Sequence, residues 1–213
     1  MENKQTKASQ IYLVIVAIVG WLALILQFYL MIQNRKVSIL ETTIRFFSFY
    51  TILTNILIAL YSTFLLLKPD SGWGKYFSRP SVATAITIYI LVVGITYNLI
   101  LRQIWNPQGW DKVADELLHL AIPILFLVYW LIFVPKGTLK SGNVFPWLIY
   151  PLVYFIWTMI FGTLSGFYPY FFIDVNELGF GKVLLNSGVL TSGFLLLSLL
   201  FVGLDRLPFY RVK

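Results

Sequence analysis

Six long apolar stretches constrain this chain more than any other feature of its 213 residues. Each is long enough to cross a bilayer as a helix, which takes about 20 residues. Runs such as 11–18 and 122–134 are apolar on every face, unlike the alternating pattern of a membrane β-barrel. The sequence therefore predicts an all-α integral membrane protein, a bundle of six transmembrane helices with short loops, forming a single domain over residues 1–213. We place the spans at 11–32, 45–67, 83–101, 115–134, 145–164 and 183–203.

The composition excludes several other classes of protein. Charged residues make up 12% of the chain, against about 25% in an ordinary soluble domain. So few charges would not cover the surface of a soluble enzyme, and they do not suit a disordered chain or a nucleic-acid binder. The chain has no cysteine, which excludes disulfides, a thiol nucleophile and thiolate metal ligands.

The basic residues predict an orientation in the membrane. Ten of the 16 Lys and Arg residues lie in the N-terminal tail, the 68–82 and 135–144 connectors and the C-terminal tail. Cytoplasmic segments carry the excess of Lys and Arg, so we expect both termini in the cytoplasm.

Polar side chains from five of the predicted spans converge at one level of the outer leaflet. At about 1.5 Å per helical residue, they lie roughly 5–10 Å below the predicted outer boundary. Polar groups at this depth are costly and usually face a bundle interior or a water-filled cavity. The layer therefore predicts one outward-facing pocket, although Asn and Thr also join membrane helices by hydrogen bonds. Its members are Thr51, Asn98, His119, Trp157 and Asn186.

His119 is the single histidine, and its position alone fits equally a structural histidine capped by a neighbouring carboxylate or a reactive one. Its surroundings favour a reactive role. Asp115 and Glu116 lie four and three residues earlier, so either carboxylate can orient the ring. Pro123 removes the amide that would have bonded the His119 carbonyl, a break that neighbours or a cavity must satisfy. Glu116-x-x-His119 resembles half of a di-iron motif, but no second copy exists, so we expect neither a metal nor a cofactor.

A threonine on the second span would supply the nucleophile. Ser48, Thr51 and Asn55 share one predicted helix face, and Thr54 lies beside them. A threonine hydroxyl is a weak nucleophile unless a base activates it, and His119 lies at a matching depth.

The longest connector, 165–182, carries six aromatic residues. We interpret this connector either as a lid over the pocket, with Gly166 and Gly181 as hinges, or as an interfacial aromatic belt.

Four segments resemble the bacterial six-transmembrane branch of the androgen-induced-protein (FAR/AIG-like) family: FFSFYTILTNILIAL (46–60), TYNLILR (96–102), DELLHLAIPILFLVYW (115–130) and VYFIWTMIFGTLSGFYPYFF (153–172). Eukaryotic relatives hydrolyse fatty acid esters of hydroxy fatty acids with an intramembrane threonine and a histidine. The resemblance implies a similar lipid ester hydrolase in a bacterial cytoplasmic membrane. It matches the threonine to Thr51, or to Thr54 one turn on, and the histidine to His119.

The expected reaction uses Thr51 as nucleophile and His119 as base on a lipid or fatty-acyl substrate. Asn55 or Asn98 would donate to the oxyanion, and Arg102 would hold a substrate carboxylate. The alternative is a small-molecule or lipid transporter or binding protein without turnover. Two three-span halves suit a transporter, but no repeat relates them at the level of residues.

Overall fold

A computed structural model describes residues 6–207 of the chain, which are helical with no strand in that range. Within this range, six helical segments are long and apolar enough to span a membrane, as the sequence predicts: Lys7–Gln33, Tyr50–Leu67, Pro80–Gln103, Gly109–Phe133, Ser141–Ser165 and Phe180–Asp205. The helices are α1 (Lys7–Gln33), α2 (Ile39–Ser48), α3 (Tyr50–Leu67), α4 (Gly72–Phe77), α5 (Pro80–Leu99), α6 (Gly109–Glu116), α7 (Ile122–Phe133), α8 (Val144–Trp147), α9 (Ile149–Ser165), α10 (Val175–Leu178) and α11 (Phe180–Asp205).

The second span begins later than the sequence predicts. Phe49 is extended, with φ −78° and ψ 127°, and it separates the short amphipathic helix α2 from α3. The predicted span at 45–67 is therefore wrong at its first residues, and Ser48 does not share a helix with Thr51. Thr51 instead lies in the first turn of α3, where backbone amides have no partner within the helix.

The fourth span contains an interruption that the sequence predicts only in part. Between α6 and α7, residues Leu117–Ala121 form a π-helical turn, in which the Ile122 amide bonds the Leu117 carbonyl. Pro123 follows at the start of α7 and has no amide to offer the His119 carbonyl. The turn therefore leaves backbone carbonyls near His119 without an amide partner in their own helix.

The helices share one continuous core. α1 and α3 pack closely, and Gly20 of α1 lies against Ala59 of α3. A Cβ atom added at Gly20 would lie only 3.4 Å from the Ala59 Cβ. α5 packs against α7 and α11. α9 is more peripheral and reaches α3 through aromatic rings: Tyr50 and Tyr154 have centroids 4.9 Å apart.

The connectors gather on two sides of the bundle. The side with α4, α8 and the end of α11 is the terminal side, where the Gly137 amide bonds the Asp205 carbonyl. The other, here called the distal side, carries the 100–108 and 166–179 connectors, and Phe167 packs there against Phe49.

Candidate active site

Thr51 and His119 meet near the distal side, on two different spans. The Thr51 Oγ1 lies 3.4 Å from the His119 Nε2. This separation is slightly longer than a catalytic hydrogen bond of about 2.6–3.2 Å. The His119 side chain is 14% exposed, so the pair is largely shielded from solvent.

Asp115 fixes the tautomer of the histidine. The His119 Nδ1 lies 2.9 Å from the Asp115 carbonyl oxygen and 3.2 Å from its Oδ1. A carbonyl oxygen only accepts, so in the neutral imidazole Nδ1 carries the hydrogen and Nε2 presents its lone pair to the Thr51 hydroxyl. Tyr97 donates its hydroxyl to the Asp115 Oδ2 and stacks on the imidazole, with centroids 4.1 Å apart.

Glu116 has a different partner from Asp115. The Arg102 guanidinium donates to the Glu116 Oε2 at 2.6 Å and lies over the Tyr97 ring. Of the two carboxylates that the sequence offers to orient His119, the structure places Asp115 on the ring and Glu116 on Arg102. Arg102 does not line the cavity, which gives no support to a role in binding a substrate carboxylate.

Two asparagines secure the π-helical turn. The Asn55 Nδ2 donates to the Thr51 carbonyl at 2.8 Å and faces the Leu118 carbonyl at 3.4 Å. The Asn98 Nδ2 donates to the Gly94 carbonyl at 2.8 Å and faces the His119 carbonyl at 3.4 Å. Neither side chain lines the cavity, so the expectation that Asn98 lines it is wrong. Their donors are occupied by carbonyls, which does not suit an oxyanion hole.

A glycine lets α5 approach the same turn. A Cβ at Gly94 would lie 3.2 Å from the His119 carbonyl oxygen and 3.3 Å from the Pro123 Cβ. Gly94 thus allows α5 to lie against the π-helical turn, within reach of the Asn98 amide.

An apolar cavity of about 450 Å³ extends from the Thr51–His119 pair. Its size is within the usual range of ligand pockets, about 300–1,000 Å³. α3, α5, α9 and α11 all contribute to the wall, together with the connector after α9. The lining residues are Tyr50, Thr51, Val92, Val93, Thr96, Leu101, His119, Leu148, Pro151, Leu152, Tyr154, Phe155, Tyr170, Phe172, Ile173, Leu184, Ser187, Gly188, Leu190, Thr191 and Phe194.

The connector forms the roof of this cavity. The Tyr170 hydroxyl accepts from the Thr51 amide at 3.1 Å and lies 3.2 Å from the Thr51 Oγ1. Burial raises the pKa of the Tyr170 phenol, so it stays a hydrogen-bond donor at neutral pH. Asn186 donates to the Phe172 carbonyl at 2.8 Å and so holds the roof to α11. It does not itself line the cavity, so its expected place in the pocket is wrong.

Two other predicted residues lie away from the cavity. Thr54 is fully buried and its Oγ1 lies 3.3 Å from the Tyr150 hydroxyl. Trp157 is 50% exposed on α9, where it stacks on Phe161. Neither contacts the Thr51–His119 pair.

Sequence reasoning missed Tyr97 and Tyr170. Tyrosine is abundant in this chain, and in both cases only the fold brings the hydroxyl to its partner. A weak signal for Tyr97 existed, because it adjoins Asn98 in the TYNLILR segment.

In comparisons with known proteins, no family model, curated protein or solved structure matches this chain.

Proposed function

We propose that this protein is an intramembrane threonine hydrolase of lipid esters. The observation that carries the proposal is the Thr51–His119–Asp115 arrangement at one end of an apolar cavity. A nucleophile, a base and an acidic group that orients the base are the three parts of an acyl-transfer site. The resemblance to the FAR/AIG-like family supports the same activity.

The first half of the reaction forms an acyl-threonine. The Thr51 Oγ1 attacks the ester carbonyl carbon, and His119 Nε2 takes the hydroxyl proton. Asp115 accepts from Nδ1 and stabilises the imidazolium that forms. The carbon–oxygen bond to the leaving alcohol then breaks, and His119 returns the proton to that alcohol. Water attacks the acyl-threonine in the same way, releasing the acid and restoring Thr51.

The oxyanion is stabilised from the roof and from α3. The Tyr170 hydroxyl lies beside Thr51 Oγ1, where the carbonyl oxygen of a bound ester would come. Thr51 is in the first turn of α3, and the positive end of the helix dipole favours negative charge there.

Mutation of the two reacting residues tests the proposal. Thr51→Ala and His119→Ala should each abolish hydrolysis of 4-methylumbelliferyl palmitate by the purified protein in vesicles. Labelling by a fluorophosphonate, mapped by mass spectrometry, should mark Thr51 in the parent protein and vanish in both variants. The double variant should be little worse than either single one, because residues that act as a unit are not additive.

Thr54→Ala serves as the control, since Thr54 contacts Tyr150 and not His119. We expect it to retain most of the activity. Undiminished turnover in His119→Ala would end the hydrolase proposal and leave a lipid-binding protein or transporter as the better account.

We further propose that both termini face the cytoplasm, in a bacterial cytoplasmic membrane. The distribution of Lys and Arg and the family resemblance support this placement. The Thr51–His119 pair would then lie in the outer half of the bilayer.

A further inference from the structure

The roof over the cavity is held at several points. Tyr170 bonds the Thr51 amide, and Asn186 bonds the Phe172 carbonyl. Tyr168 is buried against Gly162, where any Cβ would overlap its ring. The connector is thus joined to α3, α9 and α11, which makes the distal side a poor route into the cavity.

Unlike the roof, the wall of the cavity between α9 and α11 is not held closed by such contacts. These two helices do not pack closely against each other within the described residues. Leu152 on α9 and Leu184 on α11 line the cavity and are also 57% and 46% exposed at the surface. Gly188 and Thr191, on the following turns of α11, likewise line the cavity and are exposed. Residues that line the cavity and are also exposed on the outside of the bundle mark an opening in the wall between α9 and α11.

In a membrane, this opening would face the hydrocarbon core. α9 and α11 are both membrane-spanning, and the exposed residues near the opening on α9 and α11 are mostly aliphatic, including Val153, Leu185 and Val189. The groups in contact with the opening would therefore be the alkyl chains of membrane lipids.

We propose that the substrate is a membrane lipid that enters sideways, passing an alkyl chain between α9 and α11 into the cavity. The chain occupies the apolar part of the cavity, and the ester lies at its polar end beside Thr51. The identity of this reactive end rests on the proposed hydrolase function, whereas the route of the chain does not.

Gly188 offers a direct test, because a Cβ there has no atom within 4 Å. The chain has no native cysteine, so Gly188→Cys can be modified at this one position. Benzyl methanethiosulfonate would place a ring in the opening, and dithiothreitol would remove it from the same molecules. Gly203→Cys is the matched control: Gly203 is also an exposed glycine of α11 with open space around it, but it does not line the cavity.

Two readouts separate access from chemistry. The first is hydrolysis of 4-methylumbelliferyl palmitate. The second is photolabelling by palmitic acid with a mid-chain diazirine, in phosphatidylcholine–phosphatidylglycerol vesicles, with the adducts mapped by mass spectrometry. Photolabelling is measured in a Thr51→Ala background as well, where no turnover is needed.

We expect modified Gly188→Cys to lose about tenfold or more of both signals, since a filled opening leaves no room for a chain. Dithiothreitol should restore them, and Gly203→Cys should change by less than about twofold under the same treatment. If no ester is hydrolysed but photolabelling of the cavity is blocked in this way, the route stands and the hydrolase proposal fails. Photolabelling unaffected by the modification, or absent from the cavity of the unmodified protein, would overturn the route.

Discussion

At the scale of single residues, the adjacent carboxylates Asp115 and Glu116 have separate tasks. Asp115 contacts the His119 Nδ1, while Glu116 pairs with Arg102 at 2.6 Å. Asp115→Asn keeps the size of the side chain and the backbone carbonyl that bonds Nδ1, but it removes the negative charge that would stabilise the imidazolium. By analogy with serine hydrolase triads, we expect kcat to fall by roughly 10²–10⁴. Glu116→Gln should stay within about threefold of the parent, because a partly exposed ion pair contributes little. Equal losses in the two variants, measured as initial rates of ester hydrolysis, would argue against Asp115 as the orienting group.

Removal of the Tyr170 hydroxyl tests its position beside Thr51. Tyr170→Phe removes the hydroxyl beside Thr51 but keeps the ring contacts with Phe49 and Phe172, so the roof stays in place. Loss of this proposed oxyanion donor should lower kcat by about 10²–10³, measured as initial rates of ester hydrolysis.

The pH dependence follows from the same residue. The pKa of Tyr170 lies above the ordinary tyrosine value of 10.0 because the phenol is buried. A raised pKa keeps the phenol protonated to higher pH, so ionisation of Tyr170 should cause no fall in kcat between pH 7 and about 10. A fall in that interval that Tyr170→Phe abolishes would contradict the assignment.

At the scale of elements, Asn55 couples α3 to the π-helical turn. It is fully buried, and its amide reaches both the Thr51 and the Leu118 carbonyls. Asn55→Leu should lower the stability by about 1–3 kcal/mol, since it leaves the Leu118 carbonyl without the amide that faces it. It should also lower kcat, because Thr51 and His119, the proposed nucleophile and base, lie on the two elements that Asn55 joins.

Thr87→Val is the matched comparison for Asn55→Leu. Thr87 is equally buried, but its hydroxyl bonds only the Ala83 carbonyl of its own helix. We expect it to leave kcat unchanged. Thermal unfolding in detergent and ester hydrolysis together check the pair, and a stable but inactive Thr87→Val would refute the coupling.

At the scale of the whole molecule, the arrangement of the spans can be tested with single cysteines. Gln103 and Gly142 are both exposed, on the distal and terminal sides respectively. With the termini in the cytoplasm, a membrane-impermeant maleimide should label Gln103→Cys in intact cells. Gly142→Cys should react only after the membrane is opened. The reverse pattern would invert the predicted orientation.

The sequence predicts the six spans because hydrophobic length is a local property of the chain. It does not predict the break at Phe49, since an aromatic residue between two helical segments carries no stop signal such as Pro or Gly. The proximity of Thr51 and His119 can be predicted, because the two residues lie at similar depths in their spans. The hydrogen bonds of Asn55 and Asn98 cannot, because they depend on which carbonyls the π-helical turn leaves without a backbone amide. Depth can be counted along a helix, but the rotation of one helix against another depends on packing.

The π-helical turn at 117–121 acts as a phase shift within the fourth span. Each residue of an α-helix advances about 100° around the axis, so one extra residue in a turn rotates everything beyond it relative to everything before it. His119, held by Asp115, can thus face Thr51 while Phe126 and Trp130, further along, remain in the core. Deleting Leu120 would restore a continuous α-helical register, so α7 could not keep its core face buried while α6 keeps Asp115 beside His119.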